Sequence, residues 1–146
     1  MYFQRRILLI DDEPRLTAMV RQALEATGRY VIKEENRSLR ALHAARHFQP
    51  DLILLDVMMP ELDGRAVAQQ LQADPALQDV PIVFVSSLAA NGEIGSLGFL
   101  GGYSFIAKPF QLSDLVNYVE EMLSDEAAPA SERGLNLDTR TRQGFA

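Results

Sequence analysis

The chain has 146 residues, 47% hydrophobic and 23% charged, with a net charge of −6 and no cysteine. That is one domain's length, with enough apolar residues for a core and room for a tail. An excess of acid argues against binding nucleic-acid backbones, zero cysteines remove disulfides, thiolate metal sites and cysteine nucleophiles, and no apolar run is long enough to span a membrane.

Met1–Arg6 lacks the apolar stretch of a signal peptide, so the expected location is the cytoplasm. Ile7-Leu8-Leu9-Ile10 is a short apolar run that ends on Asp11-Asp12-Glu13. Pro14 can open a helix, and Leu16, Met19, Val20, Ala23 and Leu24 recur at helical spacing until Gly28. Tyr30-Val31-Ile32 runs into Lys33-Glu34-Glu35 and reads as an edge strand. Leu39, Leu42, Ala45 and Phe48 outline a second helix before Pro50.

Leu52-Ile53-Leu54-Leu55 is apolar without alternation, as in a strand buried on both faces, and stops on Asp56. Asp63-Gly64 precedes a third helix carrying Val67 and Leu71, which Asp74-Pro75 ends. Pro81-Ile82-Val83-Phe84-Val85 is another buried run, closing on Ser86-Ser87. Residues 88–102 hold five glycines, among them Gly92, Gly95 and Gly98, which weaken a helix there by about 1 kcal/mol each. Tyr103-Ser104-Phe105-Ile106-Ala107 closes on Lys108-Pro109-Phe110. Leu112, Leu115, Val116, Val119, Met122 and Leu123 form the clearest amphipathic helix, with Asp114 near its start. Beyond Ser124 the composition shifts to Ala, Pro, Ser, Glu and Arg, giving residues 124–146 the character of a linker.

Strand and helix thus alternate as in a parallel sheet covered on both faces, an α/β doubly wound architecture. In such sheets ligands bind at the carboxyl ends of the strands. Asp11-Asp12, Asp56, Ser86 and Lys108 all fall at those ends. A single strand-end Asp is ordinary turn chemistry. Four endings that supply three carboxylates, a hydroxyl and an ammonium point to a site. Crowded carboxylates need cations among them, and Lys108 together with a hard ion such as Mg2+ would serve. Such a rim suits phosphoryl transfer, where positioning and charge neutralisation dominate.

Asp11-Asp12, the segment Asp56-Val57-Met58-Met59-Pro60-Glu61-Leu62-Asp63-Gly64, Ser86 and Lys108-Pro109-Phe110 closely resemble the receiver domain of two-component response regulators. The resemblance covers residues 5–123 and implies a flavodoxin-like, five-stranded parallel sheet of order 2-1-3-4-5 with five helices. It implies a receiver domain over residues 1–123, with Asp56 accepting a phosphoryl group from a histidine kinase or histidine phosphotransfer protein. Mg2+ would be held by Asp11, Asp12, Asp56 and the Met58 carbonyl. Lys108 would pair with Asp56 and then with the phosphoryl oxygens, ahead of a cis bond to Pro109. Ser86 and Phe105 would carry the switch to the face of the fourth helix, fifth strand and fifth helix, which engages a downstream protein or a second copy in a homodimer. The chain would catalyse only its own phosphorylation and dephosphorylation, without binding nucleic acid or membrane.

Two other readings stand beside it. One is the receiver part of a longer DNA-binding transcriptional regulator, with Leu135, Leu137 and nearby arginines opening an output domain. The other is a flavin- or nucleotide-binding enzyme of flavodoxin-like fold, which the acidic Asp11-Asp12-Glu13 loop disfavours because a phosphate there meets repulsion. His43 and His47 stand i, i+4 without an evident third ligand and read as the flank of the second helix. Met58 and Leu88 flank the phosphorylation site in family terms, and both are apolar, which predicts slow self-dephosphorylation.

Overall fold

The structure, a computed structural model, describes residues 4–87 and 103–124. Its elements run β1 (Arg5–Ile10), α1 (Pro14–Glu25), β2 (Tyr30–Glu35), a 3-10 turn (Ser38–Arg40), α2 (Ala41–Phe48), β3 (Leu52–Asp56), α3 (Gly64–Ala73), β4 (Ile82–Ser86), β5 (Ser104–Ala107) and α4 (Leu112–Met122). The five strands form one sheet of order β2-β1-β3-β4-β5, and every pairing is parallel. The expected order is therefore found. Four α-helices lie among the described residues, α4 being the helix predicted as fifth. The predicted fourth helix, in 88–102, and the predicted tail beyond Ser124 lie outside them.

The apolar runs fail to alternate because helices cover both sides of the sheet. Side chains of a strand still alternate between faces. Ile7 and Leu9 of β1, with Leu52 and Leu54 of β3, enter one core against Val20 and Leu24 of α1 and Leu115 and Val119 of α4. Leu8 and Ile10, with Ile53 and Leu55, enter the other against Ala41, Ala44 and Ala45 of α2 and Val67 and Leu71 of α3. Each strand therefore reads as continuously hydrophobic although each face sees every second residue.

Three local expectations shift. β2 is the edge strand, as predicted, but it continues through Lys33, Glu34 and Glu35. α1 ends at Glu25 rather than at Gly28, whose φ of +76° shapes the turn into β2. Leu39, counted on the apolar stripe of the second helix, is 59% exposed, whereas Ser38 beside it is buried. The tighter 3-10 turn rotates these residues out of the α-helical period.

α3 starts from an aspartate cap: the Asp63 side chain accepts from the backbone N–H groups of Arg65 and Ala66. Gly64 follows at a crowded point. Its N–H donates to the Val57 carbonyl at 2.8 Å. A Cβ there would fall on the Asp56 carbonyl oxygen and 2.8 Å from Val57 Cα.

Candidate functional site

Register places the site. Ile10 pairs with Leu55, so Asp11 and Asp56 leave the sheet side by side. Asp56 pairs with Val85 and Ser86 with Ala107, which brings the ends of β4 and β5 to the same rim. The Lys108 N–H donates to the Ser86 carbonyl at 3.0 Å, extending the ladder one residue past β5. The peptide between Lys108 and Pro109 is cis, as expected from the resemblance.

Asp11, Asp12 and Asp56 each offer a carboxylate oxygen, and these atoms lie within 4.8 Å of one another. Lys108 Nζ stands 2.8 Å from Asp11 Oδ2, 3.3 Å from Glu13 Oε1 and 3.6 Å from Asp56 Oδ2. Asp56 is 4% exposed and Asp11 6%. Burial and then the neighbouring Asp11 charge push the Asp56 pKa up to about 7, against the pull of Lys108. Asp11 is raised too, by burial first, with its Lys108 hydrogen bond offsetting part of the effect. Burial works against the Lys108 charge, yet the Asp11 hydrogen bond and the attraction of Asp56 outweigh it and raise its pKa. The rim holds more negative charge than one ammonium can balance.

The other expected residues fall around this centre. The Met58 N–H donates to Asp56 Oδ1 at 3.3 Å, and the Met58 side chain lies 56% exposed at the surface. Ser86 is fully buried at the end of β4. Phe105 is half-buried on β5, paired in register with Phe84 and packed against the α2–α3 core. Leu88 lies outside the described residues. His43 and His47 have ring centroids 4.1 Å apart on α2, and both are exposed. The aspartates are the one grouping of three or more potential metal ligands among the described residues. The carboxylates repel a nucleotide phosphate not accompanied by a cation, which weighs against the flavodoxin-like enzyme.

Sequence reading gave Glu13 no role beyond its negative charge, although it is a partner of Lys108. Its place in the run Asp11-Asp12-Glu13 was the available signal. It also missed Thr17, whose hydroxyl donates to Glu34 Oε1 at 2.6 Å, and Asn36, whose amide donates to the Asp11 carbonyl at 2.8 Å. Neither carries a sequence signal, because both contacts join residues distant along the chain.

Comparisons with known proteins agree with this geometry. The chain is 34% identical over 121 residues to the DNA-binding dual master transcriptional regulator RpaA of Synechocystis, a match covering 81% of this chain and 48% of RpaA. It is 29% identical over 121 residues to the polar-differentiation response regulator DivK of Brucella anthropi, covering 83% of this chain and 98% of DivK. The chain thus spans about half the length of RpaA and nearly all of DivK. Among solved structures it resembles the receiver domain of the sensor histidine kinase PA1611 from Pseudomonas aeruginosa PAO1, solved with magnesium coordinated in the active site cleft. That match has 25% identity and a TM-score of 0.71 and covers 81% of this chain and 96% of the other. The family model for the response regulator receiver domain matches residues 7–120, and with the sheet order and acidic rim already seen, the chain belongs to that family of two-component signalling domains.

Proposed function

We propose that Asp56 is the phosphoacceptor of this receiver domain. The observation that carries the reading is the buried Asp56 carboxylate, placed with Asp11, Asp12 and Lys108 at the carboxyl ends of the strands. The donor set fits Mg2+: hard carboxylate oxygens, too many for one ammonium, at a rim where ordinary ionisation of Asp56 is suppressed. Asp11, Asp12, Asp56 and the Met58 carbonyl would hold the ion. Bound Mg2+ supplies charge neutralisation for the phosphoryl oxygens and binds the ionised carboxylates.

The chain's own residues do the rest. An ionised Asp56 oxygen attacks phosphorus, and the bond from phosphorus to the donor's histidine nitrogen breaks. Lys108 stays beside Asp56 and meets the new negative charge. Ser86 donates its hydroxyl to a phosphoryl oxygen, and Phe105 moves with it. A phosphoryl group adds charge and three acceptors, enough to bias a two-state loop. The output face comprises the fourth helix expected in 88–102, β5 and α4, and it engages a downstream protein or a second copy. The phosphoryl donor is a histidine kinase or histidine phosphotransfer protein, and the chain works in the cytoplasm. No helix among the described residues is long and apolar enough to cross a membrane. The receiver unit is residues 1–123, with 124–146 a tail. RpaA is described as DNA-binding and is longer than this matched region; that output is not assigned to this chain.

Treatment with acetyl phosphate and Mg2+ will add one phosphoryl mass to the parent and none to Asp56→Ala. Mass spectrometry decides it, and equal labelling of both chains would reject Asp56 as the acceptor. Met58 and Leu88, the latter outside the described residues, are both apolar at positions that in family terms flank the phosphorylation site, so phospho-Asp56 is expected to persist for minutes or longer with Mg2+ present. Decay within seconds would overturn that expectation.

A further inference from the structure

The short connection between β2 and α2 touches both acidic loops. On one side it clasps Asp11 by its backbone. The Asp11 N–H donates to the Glu35 carbonyl at 3.2 Å, and the Asp11 carbonyl accepts from Asn36 Nδ2 at 2.8 Å. The second Asn36 hydrogen goes to Thr17 Oγ1 at 3.0 Å, on the first turns of α1. The Asn36 amide therefore ties the start of the Asp11-Asp12-Glu13 loop, and the helix that follows the loop, to the sheet edge.

On the other side it holds the loop that follows Asp56. The buried Ser38 hydroxyl donates to the Pro60 carbonyl at 2.9 Å and accepts from the Leu62 N–H at 3.1 Å. Between those contacts stands Glu61, a non-glycine residue at φ 72°, in the left-handed region such residues rarely adopt. A backbone held there needs its surroundings to keep it there. Arg37, between the two polar residues, adds an ion pair to Glu61 at 3.3 Å. Met58, whose carbonyl is assigned to the metal, lies only two residues ahead of Pro60 in this loop.

We propose that Asn36 and Ser38 are positioning residues, a strut that sets the spacing between the Asp11–Asp12 loop and the Asp56–Met58 loop and thereby the affinity for the divalent ion. The proposal rests on the metal reading of the aspartates given above. A cation gathering ligands from two loops binds best when their separation is already correct. Partners that orient ligands without touching the ion commonly change metal affinity by about ten to a hundredfold when removed. Asn36 holds the Asp11 carbonyl and Ser38 the Pro60 carbonyl and Leu62 N–H, so each acts through the backbone it holds.

The test measures Mn2+ binding to the unphosphorylated full chain by electron paramagnetic resonance, Mn2+ standing in for Mg2+. Asn36→Ala and Ser38→Ala will each weaken binding by about tenfold, at the lower end for such partners. Asn36→Gln, which keeps a donor, will recover part of the loss. Arg46→Ala, which removes the remote 2.6 Å ion pair with Asp74, serves as a destabilised control and will bind as the parent does. Both alanine variants are expected to fold, since Asn36 is only half-buried and the Leu62 N–H also reaches the Pro60 carbonyl at 2.9 Å. Parent-like binding by Asn36→Ala and Ser38→Ala, with binding lost in Asp12→Ala, overturns the strut and leaves the metal site standing. An equal loss in Arg46→Ala also overturns it, because affinity would then follow overall stability. Parent-like binding by Asp12→Ala overturns the metal reading, and the strut with it.

Discussion

Replacing Gly64 with alanine will cost the fold about 3 kcal/mol, the upper part of the range for forcing a methyl group into a packed interior. It will also displace Asp56 in the molecules that remain folded. The new Cβ would meet backbone, the Asp56 carbonyl oxygen and Val57 Cα, rather than the end of a side chain that could swing aside. The Gly64 N–H is held to the Val57 carbonyl, and the Asp63 cap fixes the helix start, so the strain cannot be absorbed on the helix side alone. What gives is the end of β3, where the candidate nucleophile sits. Urea unfolding will show the loss of stability. Labelling by acetyl phosphate, scored per folded molecule, will show the damage to the site. A variant as stable as the parent and labelled as fast would show that the contact relaxes freely.

Removing the negative charge of Asp56 will stabilise the metal-free protein at alkaline pH. The folded state holds this proton up to about pH 7, whereas an unhindered aspartate releases it near 3.8. Between those values the unfolded chain has lost a proton that the native chain keeps, so stability falls as pH rises and stays low above the folded pKa. The whole gap amounts to about 4 kcal/mol at most, and relaxation of the rim reduces it. Asp56→Asn in EDTA at pH 8 is therefore expected to exceed the parent by about 3 kcal/mol, with the difference shrinking towards pH 4. Added Mg2+ will then reverse the order by stabilising the parent and not the variant. A difference between parent and variant that stays constant from pH 4.5 to 8 would refute the account.

Most of the architecture could be read from four apolar runs, because strands covered on both faces leave no polar alternation to confuse them. The rim was legible for the same reason: each run stops abruptly on a polar residue at the strand end where ligands gather, even though Asp11, Asp56 and Ser86 are themselves buried there. Residues whose partners lie far along the chain were not legible. Asn36 sits between Glu35 and Arg37 and looks like any solvated loop residue, although its amide is used on both hydrogens. Leu39 misled because helical periodicity was extended back into a 3-10 turn, where the buried position belongs to Ser38. The boundary of α1 was set late because Gly28 was taken as the end of the helix rather than as the hinge of the turn that follows it.

Lys108 donates hydrogen bonds to Asp11 at 2.8 Å and to Glu13 at 3.3 Å, while Asp56 stands 3.6 Å away, close enough for charge attraction but beyond hydrogen-bond reach. A phosphoryl oxygen carried on Asp56 draws the ammonium towards it, and the weaker of the two hydrogen bonds is the one that loosens. Glu13 is the most readily displaced, since its side chain is 61% exposed and water waits to replace the lysine. Because Glu13 is also the N-cap residue just ahead of α1, arrival of the anion on one side of the rim is felt at the head of a helix on the other.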